Sequence, residues 1–173
     1  GLSMGIDTSK IRVPKFYPNT PEIKLAISEY LGEIEWADRK VGLIMKVLRD
    51  RGLDKNTVVV FTSDNGMAFP RGKTTLYNHG DRMPLIVKWP EKVASGIVVD
   101  DPVSLIDLAP TFLEIAGIPS NESGMQKIQG RSLLDVFKDE VIGRDKMLTG
   151  RERNDIGRPK DQGFPVRSLH KGK

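Results

Sequence analysis

Asp64, Asn65 and Gly66 follow a run of β-branched and aromatic residues, Val58-Val59-Val60-Phe61-Thr62, and Ser63. A carboxylate and a carboxamide oxygen are hard donors, suited to Ca2+ or Mg2+. Two of them cannot complete a calcium shell of roughly six to eight oxygens, so further carboxylates must come from elsewhere. Gly66 allows a sharp backbone turn at the same point. Asp, Asn and Gly are also the ordinary residues of a strand-to-loop turn, and spacing alone leaves both readings open. Lys73 stands nine positions after Asp64, just beyond Pro70-Arg71-Gly72. An ammonium in a glycine-bearing loop beside a dication suits recognition of an anion as a point charge. Arg71 is an alternative for that role, and either residue also reads as a solvated loop charge.

The other polar groups carry less chemistry. His79 and His170 are the only histidines, and neither has a second His or an acid at zinc-site spacing. Asp100-Asp101 precedes Pro102 and a helix start, which fits a loop-shaping role better than a metal site. The absence of cysteine excludes disulfides, thiolate metal sites and a cysteine nucleophile within these residues. Trp36, Asp38 and Arg39 read as packing and surface residues.

The elements that must position Asp64, Asn65 and Lys73 are legible around them. Residues 1–21 are irregular, punctuated by Pro14, Pro18 and Pro21. Thr20 is placed as an N-cap with Pro21 at the first helical position. Ile23, Ile27, Tyr30, Ile34, Ala37, Val41, Ile44 and Leu48 then follow at spacings of three or four, predicting one long amphipathic helix that stops at Arg51-Gly52. So one-sided a helix calls for a broad partner such as a sheet. Residues 57–62 are apolar at nearly every position, the pattern of a strand covered on both faces in a parallel sheet. Residues 63–81 are a loop and residues 84–90 a second short strand; residues 96–99 are a candidate third. Residues 104–116 form a helix ended by Gly117, residues 120–130 a polar loop, and residues 132–137 a helical turn. Residues 147–149 and 166–169 are two further strands. Helix, strand, loop, strand and helix in this order argue an α/β layered architecture.

The totals bound the function class. The chain has 173 residues, 38% hydrophobic and 29% charged, a globular composition. The net charge of +4 raises a nucleic-acid partner. The basic residues are scattered, apart from Arg151, Arg153, Arg158, Lys160 and Arg167 and the tail Lys171 and Lys173, and aromatic residues for stacking are few. Nucleic acid is therefore not expected. No run has the length of a membrane-spanning helix, and the chain does not open on Met, consistent with a trimmed start.

Taken together, VVVFTSDNG, GKTTLYNHGDRMPLIVKWP, VSLIDLAPTFLEIAGIP and GRSLL resemble the sulfatase family, most nearly its heparan N-sulfatase (sulfamidase) type. Ala68-Phe69-Pro70 after the Asp-Asn-Gly and the basic residue nine positions after the Asp both fit that type. The resemblance implies an alkaline-phosphatase-like α/β fold, here a partial layered sheet with flanking helices, incomplete at both ends. It implies hydrolysis of a sulfate ester or sulfamate, on a sulfated sugar as substrate and partner. It assigns Asp64 and Asn65 to the active-site cation, usually Ca2+ with Mg2+ as the alternative, and Lys73 to the sulfate group. Asn154, in Gly150-Arg151-Glu152-Arg153-Asn154-Asp155, falls where this type usually carries a substrate-side His. The family's compartments are the periplasm, the lysosome and the cell exterior, and the lack of cysteine favours a bacterial periplasm.

One departure is large. Sulfatases make a formylglycine from Cys or Ser in a Cys/Ser-x-Pro-x-Arg motif, and here no Ser is followed two residues later by Pro. The first pair of metal-binding aspartates has no counterpart either. The chain is therefore expected to be the C-terminal part of a sulfatase catalytic domain, with the formylglycine in a part that precedes it. Residues 1–21 are its lead-in, 22–139 its helix/strand core with the metal corner, and 140–173 the start of a small C-terminal sheet. On this expectation it is inactive alone, and exposed apolar surface favours self-association. The alternatives are a phosphodiesterase or phosphomutase-type relative, and a non-catalytic binding module on the same scaffold.

Overall fold

The computed structural model describes residues 6–138, 144–152 and 165–171. The chain divides into two units, Gly1–Lys55 and Asn56–Lys173. In the first, a 3-10 turn at Thr8–Lys10 is capped by Asp7, whose carboxylate accepts from the Ser9 amide at 2.9 Å, and it packs on the long helix α1, Pro21–Asp50. Thr20 is extended, and its hydroxyl accepts from the Ile23 amide at 3.4 Å while Pro21 opens the helix. The helix ends in a Schellman turn. Gly52, at φ +67°, donates to the Arg49 carbonyl at 2.9 Å, and Leu53 donates to the Leu48 carbonyl at 2.9 Å.

The second unit opens with strand β1, Val59–Thr62, and continues to the short helix α2, Asn78–Asp81, and strand β2, Leu85–Lys88. β1 and β2 pair antiparallel, with Val60 opposite Val87 and Phe61 opposite Ile86. This corrects the expectation of a parallel strand covered on both faces. Phe61 and Ile86 share one face of the ribbon and are 41% and 59% exposed. The unbroken apolar run marked the strand but carried no information on its direction or its cover. Residues 96–99 are not a strand either: Gly96 turns at φ +82° and Val98 is 85% exposed.

A 3-10 turn at Leu105–Asp107 runs into α3, Leu108–Ile115. Ser104 and Asp107 form a capping box at its start. Its end repeats the turn that closes α1. Gly117, at φ +68°, donates to the Glu114 carbonyl at 3.1 Å and Ile118 to the Leu113 carbonyl at 2.9 Å. A final turn α4, Leu134–Phe137, supplies Val136, which with Leu133, Thr111 and Asp107 makes the best-buried cluster among the described residues. Gly130 leads into this cluster because a Cβ there would lie 2.0 Å from the Ile106 carbonyl oxygen. Strands β3, Lys146–Arg151, and β4, Val166–Lys171, form an antiparallel ribbon with Met147 opposite His170 and Thr149 opposite Ser168. Among the described residues no helix is long and apolar enough to cross a membrane.

Candidate functional site

β1 delivers Asp64 and Asn65 at its carboxyl end, where ligands bind in open α/β sheets. Asp64 is exposed and Asn65 half-buried. The Ser63 hydroxyl donates to the Asn65 carbonyl at 2.9 Å, and the Asn65 amide donates to the Gly66 carbonyl at 3.4 Å. Those bonds fix the turn through the backbone and the amide nitrogen. Among the described residues no group of three or more His, Asp or Glu is gathered as a metal cluster. The donor types at Asp64 and Asn65 thus fit a hard cation, as part of a shell.

The loop that follows is cinched at its neck. The Gly66 amide donates to the Gly80 carbonyl at 3.2 Å, and a Cβ on Gly66 would sit 1.8 Å from the His79 carbonyl oxygen. Within the loop the chain doubles back, so that the amide of Lys73 donates to the Met67 carbonyl at 2.8 Å and that of Gly72 to the Phe69 carbonyl at 2.9 Å. Gly72 and Gly80 are both buried, and a Cβ on either would meet backbone oxygen, Met67 at 2.3 Å and Thr75 at 2.4 Å respectively. Lys73 therefore comes back, through its backbone, to a residue two positions past Asn65.

Lys73 is exposed and lies between two residues with left-handed backbone, Arg71 at φ 63° and Thr74 at φ 67°. For non-glycine residues such backbone costs about 1–3 kcal/mol each, most for a β-branched one, and it persists only where neighbours hold it. Arg71 rests over the Tyr77 ring, 5.8 Å from its centroid, so of the two basic residues it is the one engaged by an aromatic face. Asp100-Asp101 contributes to no metal cluster among the described residues. Asn154 lies outside the described residues.

The structure also brings together residues that spacing did not mark. Asp81, at the end of α2, accepts from the Thr149 hydroxyl at 2.8 Å through Oδ2, and His170 Nε2 lies 2.7 Å from the same oxygen. Ser168 Oγ and Thr149 Oγ1 each stand 3.3 Å from that imidazole nitrogen. Asp81 Oδ1 is buried and has no hydrogen-bond partner among the described residues. The Arg151 guanidinium donates to the carbonyl of Thr74. The only trace of this in the sequence is the alternation of β3 and β4, which sets Thr149, Arg151, Ser168 and His170 on the less exposed positions.

Comparison with known proteins gives the family and the fold. Human N-sulphoglucosamine sulphohydrolase is 39% identical over 142 residues, which cover 79% of this chain and 28% of that protein. An ulvan-active sulfatase of Formosa agariphila is 30% identical over 132 residues, covering 76% of this chain and 22% of its own. The chain thus spans about a quarter of the length of these relatives. Among solved structures, a protein from a glycosaminoglycan-metabolism locus of Bacteroides thetaiotaomicron superposes with a TM-score of 0.70 at 27% identity, over 88% of this chain and 33% of that one. A phosphonate monoester hydrolase of Silicibacter pomeroyi superposes at 0.68 and 25% identity, over 84% and 29%. The fold is that of part of an alkaline-phosphatase-like sulfatase. Residues 11–118, which contain Asp64, Asn65 and Lys73, match the sulfatase family model, and the chain belongs to the sulfatase family.

Proposed function

We propose that these residues form the second metal-binding corner of a sulfuric ester hydrolase acting on a sulfate ester or sulfamate of a sugar. The observation that carries the reading is the doubled-back loop, whose Lys73–Met67 backbone bond returns the ammonium-bearing residue toward the Asp64-Asn65 turn. Asp64 and Asn65 would hold a Ca2+ ion, with Mg2+ the alternative, jointly with donors from outside these residues. Such an ion, when bound, acts as a Lewis acid on sulfate oxygens. Lys73 contributes a fixed positive charge against the negative charge that develops on the transferring group. Asn154 is assigned a weaker, substrate-side part, and a formylglycine nucleophile is assigned to residues other than these. The name of the human relative supports an N-sulfated glucosamine as the sugar class. The same reading assigns the work to the periplasm, the lysosome or the outside of the cell.

The test is turnover by the whole open reading frame that encodes these residues, expressed together with formylglycine-generating activity. Hydrolysis of an aryl sulfate or of N-sulfated glucosamine is expected, and Lys73→Ala should lower it by about 10²–10³-fold, the range for removing one transition-state donor. The fold likeness to a phosphonate monoester hydrolase keeps a phosphoryl-type reading as the second candidate. Preferred cleavage of a phosphonate monoester or phosphodiester would replace the first reading with it. No turnover on either class would favour a binding module.

A further inference from the structure

The ribbon β3–β4 grips the Lys73 loop at two places. At one, the Arg151 guanidinium donates to the carbonyl of Thr74, the residue after Lys73. At the other, Thr149 and His170 converge on Asp81, where the loop ends. Thr149 and Arg151 stand two apart on β3, and His170 lies on β4 opposite Met147, so period-two alternation puts all three on the same less exposed positions of the ribbon. The segment from Thr74 to Asp81 is therefore held at both ends by one face of a single antiparallel ribbon.

We propose that this surface sets the direction of Lys73, with Arg151 as the positioning residue. The reason lies in Thr74. A β-branched residue resists the left-handed region that Thr74 occupies at φ 67°. Left alone, it relaxes toward extended backbone, which turns its own carbonyl relative to Lys73, whose amide is held by the Met67 carbonyl. A charged donor on the Thr74 carbonyl opposes that rotation, because a guanidinium-to-carbonyl bond is stronger than a neutral one. Arg71, two positions before Lys73, is also left-handed, so the pair Gly72-Lys73 is bracketed by two disfavoured residues. The Asp81 anchor keeps the far end of the segment from following if Thr74 turns. The value of the device rests on the reading of Lys73 as the sulfate contact.

The experiment is heteronuclear NMR, with selective Thr, Lys, Leu and Val labelling, on the whole protein encoded by the reading frame that holds these residues, loaded with Ca2+, unmodified and as Arg151→Met and Arg151→Lys, each titrated with sodium sulfate. Met keeps the aliphatic stem and removes every donor, while Lys restores one charged donor. The Thr74 Cα and Cβ shifts report its backbone region, the Lys73 side-chain shifts report the anion, and the Leu133 and Val136 methyls report the fold. Arg151→Met is expected to lose the left-handed Thr74 signature and move Lys73 with the core methyls in place, and Arg151→Lys to regain both. An unchanged Thr74 in Arg151→Met, or a failure of Arg151→Lys to restore it, overturns the proposal. If Thr74 and Lys73 follow this pattern but Lys73 never answers sulfate, the positioning role stands and the sulfate-contact reading falls.

Discussion

Arg144 closes a two-toothed pair on Asp107, Nη1 to Oδ2 at 2.6 Å and Nη2 to Oδ1 at 3.0 Å, across 37 residues of chain. The Asp107 carboxylate is fully buried and also accepts from the Ser104 amide at 2.8 Å and the Arg131 amide at 2.9 Å. Its own carbonyl accepts from the Thr111 hydroxyl at 2.5 Å, and that hydroxyl accepts from the Leu133 amide at 2.8 Å. One acid thus ties the start of α3, the turn into α4 and the approach to β3.

Asp107→Asn should destabilise the chain by about 3 kcal/mol, the lower end for a buried pair that loses one partner. The amide keeps one oxygen, but its NH2 group then faces an Arg144 donor and, with it, the amide of either Ser104 or Arg131. Urea unfolding of the two proteins at neutral pH measures the difference. A loss within a few tenths of a kcal/mol would mean that Arg144 is solvated well enough to stand alone.

The same carboxylate sets a pH dependence. Burial on its own raises the Asp107 pKa, but the Arg144 hydrogen bonds and then the Arg131 and Ser104 amides outweigh it and hold the group below its ordinary value. A depressed carboxylate stabilises fully above its unfolded value, about 3.9, and the contribution is lost as pH falls through the folded one. Wild type and Asp107→Asn should therefore differ most at neutral pH and converge in acid. Unfolding midpoints taken from pH 7 downward check this, and a gap that widens in acid would contradict it.

Glycines that look alike in the sequence should divide by what surrounds them. A Cβ on Gly42, inside α1, would meet nothing within 4 Å, so Gly42→Ala is expected to stabilise the helix by about 1 kcal/mol. A Cβ on Gly66 would overlap the His79 carbonyl, and Gly66→Ala should cost about 1–3 kcal/mol as overpacking and loosen the Lys73 loop. Thermal unfolding of the two variants should give shifts of opposite sign.

What the sequence made legible was local. The Thr20 cap, the Gly52 and Gly117 turns and the strands at 147–149 and 166–169, which lie within β3 and β4, each depend on residues within a few positions, and all appear where expected. The Asp64-Asn65 turn was visible for the same reason. The grip of Arg151 on Thr74 and of His170 on Asp81 was not, because 77 and 89 residues separate the partners and nothing nearby marks them. The antiparallel sense of β1 escaped too. An apolar run reports burial pressure on a strand, and direction comes from a partner more than twenty residues away.

α1 presents Leu25, Ile34, Trp36, Leu43, Ile44 and Val47 at roughly half exposure. Apolar surface of that extent drives association in water. Light scattering on the purified chain should show a mass that rises with concentration, and charged substitutions at Leu43 and Ile44 should lower it. A constant monomer mass at high concentration would set this expectation aside.

These 173 residues contain no cysteine and no serine followed two positions later by proline, so they lack the formylglycine precursor that sulfatases share by family resemblance. Asp64 and Asn65 supply two donors where calcium takes roughly six to eight. Covalent attack and metal activation both need groups that this stretch does not hold. Residues 1–173 alone should give no turnover of an aryl sulfate above the rate of buffer, with or without Ca2+, even if sulfate perturbs Lys73. Turnover that rises with Ca2+ and vanishes in Lys73→Ala would overturn the reading of these residues as part of a site completed by groups outside them.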